Sequence, residues 1–91
     1  MILIALGNNQ SLGIEKYGNR VRLILVQHAK EMACRKESIK TIQNFLASED
    51  SNLFKGRIQL KKCTNNILVF FKNQQWGEIS VELLRQKLME L

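Results

Sequence analysis

No apolar run in this sequence approaches the roughly 18 to 20 residues that a helix needs to cross a bilayer. Residues 2–6 and 67–71 are apolar throughout but only of strand length. No secretory leader is expected, because Met1 runs straight into five apolar residues and Gly7, with no positive segment and no small-residue cleavage site. These absences point to the cytoplasm and to no membrane contact, and they strip the glycosylation triplet Asn9-Gln10-Ser11 of meaning. Cysteine is scarce: Cys34 and Cys63 stand far apart in no CxxC arrangement, so reduced thiols are expected rather than a disulfide framework or a zinc ribbon. Histidine occurs once, at His28. One histidine and two distant cysteines are too few and too irregular for a structural zinc site, and no metal is expected.

The chemistry of an enzyme is thin for similar reasons. The eight acidic residues are scattered, and no two are spaced as an acid and base pair. Residues 7–13 are rich in small polar side chains but lack the Gly-Lys-Ser/Thr ending that lets a loop cradle phosphate. His28 paired with a thiol as base and nucleophile needs a proximity that spacing does not establish, and a histidine with a backbone partner is the simpler reading. No catalytic residue and no cofactor are expected.

What is present describes a folded chain. Ninety-one residues make one domain, 1–91, and the 45% hydrophobic and 24% charged fractions suit a single core. Residues 2–6 read as a buried strand ended by Gly7-Asn8-Asn9, and 7–18 as a loop. Residues 20–26 begin in strict alternation and read as a strand, although Val21, Leu25, His28 and Met32 also fall at helical spacing. From 28 to 47 the apolar positions Ala29, Met32, Ala33, Ile39, Ile42, Phe45 and Leu46 follow a period near 3.6 and predict an amphipathic helix, either one long helix or two with Ser38 as a second cap. The cluster 48–52, with Glu49 and Asp50, ends that pattern.

Residues 57–63 alternate, and 67–72 are β-branched and aromatic; with Thr64-Asn65-Asn66 between them they predict a hairpin. Residues 73–77 then break the strand, leaving Trp76 to close the sheet end or anchor an interface. Ser80 caps a last helix carrying Val81, Leu84, Leu88 and Leu91 on one stripe. The order read from the sequence is ββαββα, an α+β fold with helices on one face of a small antiparallel or mixed sheet.

Charge is the most uneven feature. Fourteen Lys and Arg against eight Asp and Glu give +6. Lys55, Arg57, Lys61, Lys62 and Lys72 fall in a stretch, 55–72, with no acid at all, and a second basic stretch covers 19–40. A turn on Asn65-Asn66 pairs Cys63 with Leu68, Lys61 with Phe70 and Gln59 with Lys72. One face then carries Arg57, Gln59, Lys61, Phe70 and Lys72, and the other carries Ile58, Leu60, Ile67, Val69 and Phe71.

Cations around an aromatic ring on a strand pair suit nucleic acid, since the cations meet phosphates and the ring stacks on a base. The competing reading is a solvated lysine face that discourages edge-to-edge aggregation. The leading expectation is a small non-enzymatic nucleic-acid-binding or regulatory domain contacting DNA or RNA through Arg57, Lys61, Lys62, Phe70 and Lys72, with Arg20 and Arg22. Second stands a protein-interaction module, an adaptor, inhibitor or self-associating homo-oligomer. An enzyme such as a small basic nuclease ranks third.

Overall fold

The computed structural model describes residues 1–49 and 51–91; Asp50, read above as part of the connecting cluster, lies outside them. The chain forms two four-stranded antiparallel sheets, each a meander followed by a nine-residue helix. Sheet A consists of β1 (Ile2–Gly7), β2 (Gln10–Tyr17), β3 (Arg20–Gln27) and β4 (Lys30–Ser38), with α1 (Ile39–Ala47) after it. Sheet B consists of β5 (Ser51–Leu53), β6 (Ile58–Cys63), β7 (Asn66–Phe71) and β8 (Gln74–Ser80), with α2 (Val81–Met89) after it. Strand order follows chain order in both sheets.

This corrects the ββαββα order and the α+β layout expected from sequence: the fold is mostly β, and its order is ββββα twice. Four strands account for the difference, one of them the short β5 at the end of the 48–52 cluster, where no strand was expected. β2 occupies what reads as a loop; its Leu12 and Ile14 alternate into the core and are fully buried. Gly13 sits between them because Met1 folds over that position, where a Cβ would lie 2.7 Å from the Met1 sulfur.

β4 replaces the first half of the expected helix. It is an edge strand with only Ala33 buried, so its charged residues face water on both sides and protect the edge. A β-bulge opposite Leu25 and Val26 adds Met32 to the strand, which breaks the period of two and produces the helix-like spacing of Ala29, Met32 and Ala33. β8 fills the expected break for the same reason, because a bulge opposite Val69 and Phe70 adds Trp76.

Both helices begin where a serine stands. Ser38 Oγ accepts from the Thr41 N–H at 3.1 Å, and Ser80 Oγ accepts from the Leu83 N–H at 2.9 Å, each satisfying a donor that the first helical turn leaves free. Ser38 is thus the cap of a short α1 and not an interruption of a long helix.

Leu12, Ile14, Val21, Leu23 and Leu25 of sheet A, Leu60, Ile67 and Val69 of sheet B, and Ile42 and Leu84 of the helices belong to one buried cluster. The sheets meet along their margins. Near Gly77 of β8 the Leu6 backbone of β1 comes so close that a Cβ would lie 2.9 Å from the Leu6 carbonyl oxygen. On the other side Arg35 of β4 reaches Gly56 and Phe54 in the β5–β6 connection. Among the described residues no helix is long and apolar enough to cross a membrane.

Candidate nucleic-acid interface

The β6–β7 hairpin forms where the sequence predicts it, but its turn is Thr64-Asn65. Cys63 pairs with Asn66, Lys61 with Leu68 and Gln59 with Phe70, a register two residues from the expected one. Because side chains alternate with a period of two, a two-residue slip leaves the faces unchanged. Ile58, Leu60, Ile67, Val69 and Phe71 are buried, while Gln59, Lys61 and Phe70 stand on the outer face of sheet B.

The same parity decides Lys62. It shares the inner face with Ile58 and Leu60, is 8% exposed, and its ammonium donates to the Ser48 carbonyl at the end of α1. α1 has no basic residue in its last turn, so a lysine from the neighbouring sheet supplies the cation that a helix C-terminus favours. Lys62, expected among the phosphate contacts, therefore lies on the inner face. Lys72 also departs from its expected strand position: it opens the β7–β8 turn at φ +51, exposed, with its ammonium 5.3 Å from the Phe71 ring centroid. Its N–H donates to the Arg57 carbonyl at 2.8 Å, which keeps these two cationic residues adjacent.

Arg20 and Arg22 lie in the other sheet. Arg22 is held between Glu15, at 2.8 Å, and Glu31 on the outer face of sheet A. Hydrogen bonds to Glu15 first, and then to Cys34, raise its already high pKa further, so its charge is permanent but already answered by carboxylates. Arg20 is exposed across from Tyr17, and Lys36 places its ammonium 4.0 Å over the Tyr17 ring. Sheet A thus presents a face of mixed sign next to exposed Met1 and Leu3.

On sheet B, Asn52, Phe54, Lys55, Gln59, Lys61 and Phe70 line a surface groove of about 350 Å³ with no carboxylate among its described residues. The 54–57 connection also borders a second crevice of about 340 Å³, whose lining includes Arg35, Gly56 and Arg57 and again no described acid. The Arg35 guanidinium lies 4.6 Å from the Phe54 ring centroid, a cation–π contact of about 0.5 to 1 kcal/mol at such an exposed place. Gln59 Nε2 donates to the Gly56 carbonyl at 3.2 Å and ties the connection to β6. Glu78 is the acid on this sheet face, two strands across from Lys61 and separated from it by Leu68.

No protein-family model, curated protein or solved structure matches the chain.

Phe54, Lys55 and Arg35 were not among the site residues expected from sequence. Lys55 belongs to the acid-free stretch and was open to inclusion. Phe54 and Arg35 meet only because β4 and the β5–β6 connection adjoin at the seam between sheets, which no local pattern records. His28 opens the β3–β4 turn at φ +51, exposed, and its N–H donates to the Asn9 carbonyl at 3.0 Å. The two free thiols lie on different sheets, Cys34 on β4 and Cys63 on β6.

Proposed function

We propose that this protein binds nucleic acid through the outer face of sheet B and the adjoining 54–57 connection. The observation that carries the proposal is a pair of grooves, both lined in part by the 54–57 connection, presenting Lys55, Lys61, Arg35 and Arg57 with two phenylalanines and, among the described residues, no carboxylate in their lining. Cations so arranged release condensed counterions when they meet phosphates, and this supplies most of the affinity of sequence-independent binding. The opposite face supports the same assignment, since there Arg22 is neutralised by Glu15 and Glu31. A net charge of +6 adds long-range attraction for a polyanion.

The test is fluorescence anisotropy of labelled oligonucleotides titrated with the protein at several salt concentrations. With about four phosphates engaged, log affinity falls with log salt at a slope near −3 for a single strand and slightly steeper for duplex. Lys55→Glu with Lys61→Glu weakens binding to every sequence and leaves the circular dichroism and melting temperature close to wild type, because both side chains are exposed. Absence of binding at low salt, where non-specific association is strongest, overturns the proposal and leaves a protein-interaction role in its place.

A further inference from the structure

Resting on that reading, we infer that the groove between Phe54 and Phe70 is a stacking site for an unpaired nucleobase, so that the ligand is single-stranded DNA or RNA and not a duplex. Both rings line the same groove, and both are half-buried. Neither is engaged with the other, since the ring–ring contact among the described residues is between Phe71 and Trp76. Two aromatic rings lining a cationic groove, Phe70 and the part of Phe54 that Arg35 leaves uncovered, are what successive or intercalated bases use, because every base has a π-face. A duplex keeps its bases stacked inside and offers this groove only phosphates.

The local geometry holds Phe54 in place for such a role. Its φ is +73, in the left-handed region that bulky L-residues rarely adopt. Leu53 and Phe54 both pack in part against the core, and the Phe54 ring also lines the groove and lies under the Arg35 guanidinium. Arg35 covers part of that ring, and Lys55 and Lys61 stand along the groove where the phosphates flanking an inserted base would run. The hydrogen bond from Gln59 to the Gly56 carbonyl steadies the connection that carries Phe54.

The test compares oligo-dT, oligo-U and a mixed-sequence duplex, each fluorescein-labelled, on the wild-type chain and on Phe54→Leu, Phe70→Leu and Phe70→Ala. The leucine variants keep an apolar side chain for packing and remove only the π-face, and a thermal melt confirms that each variant is folded. Loss of roughly tenfold to a hundredfold in single-strand affinity, with duplex affinity changed by less than about twofold, is the expected result. Comparison of oligo-dT with oligo-U then separates DNA from RNA as the source of the strand. Phenylalanine variants that bind single strands as the wild type does, while Lys55→Glu with Lys61→Glu lowers binding to single strands and duplex alike, overturn the stacking site and leave the nucleic-acid reading standing. Failure of the wild-type chain to bind any probe overturns both.

Discussion

Phe71 and Phe70 are neighbours in sequence with opposite surroundings, and the difference is parity on one strand. Phe71 is 8% exposed and meets Trp76 edge-on, ring centroids 5.3 Å apart at 74°. Truncation to alanine removes that contact and opens a cavity in the shared core. Phe71→Ala is expected to lose about 3 to 5 kcal/mol, a large part of the roughly 5 to 15 kcal/mol that holds a domain folded. Urea unfolding followed by the fluorescence of the single tryptophan measures it, and a midpoint unchanged from wild type would show that the ring is not in the core. Lys61 and Lys62 make the same contrast among cations. One is exposed on the groove; the other extends its stem under the sheet and gives its ammonium to Ser48.

At the scale of elements, the helix starts allow the simplest check. Ser38→Ala and Ser80→Ala each remove the acceptor for one amide of a first turn, and each is expected to cost about 1 kcal/mol in equilibrium unfolding. The elements legible in the sequence were those whose burial follows a clean period: β3, the β6–β7 hairpin and α2. β4 and β8 were obscured by bulges at Met32 and Trp76, which insert a residue into the alternation. Their turns gave no help either. His28-Ala29 and Lys72-Asn73 adopt positive φ without glycine, and of the four only Asn73 is a residue that normally announces a tight turn. β2 was obscured by composition, its Gly13 and Ser11 suggesting a loop while Leu12 and Ile14 alternate beneath. In the candidate site, parity alone places Lys61 and Phe70 on the outer face and Lys62 on the inner one; the meeting of Phe54 and Arg35 needed the tertiary seam.

The whole molecule is two ββββα units that share one core and meet along their sheet margins, so the tightness of those margins is a stability term of its own. Gly77→Ala places a methyl group against the Leu6 carbonyl oxygen and Cβ, backbone and near-backbone atoms that have no room to swing away. A loss of about 1 to 3 kcal/mol is expected in thermal or urea denaturation. Gly13→Ala serves as its control, since there the methyl meets the mobile end of Met1. It should change stability by less than about 0.5 kcal/mol. The strictly sequential strand order also governs how the chain is built on the ribosome. Every pair of strands in sheet A joins neighbours in sequence, so the sheet closes through short loops at low entropic cost once Ser38 has emerged. Sheet A is complete before β6 exists. Until Leu60, Ile67 and Val69 are synthesised, Leu12, Ile14, Leu23 and Leu25 have only the apolar side of α1 to share their cluster, and the nascent half-protein carries a finished sheet with part of its apolar side bare. That interval of translation is when the chain is most open to association with the wrong partner.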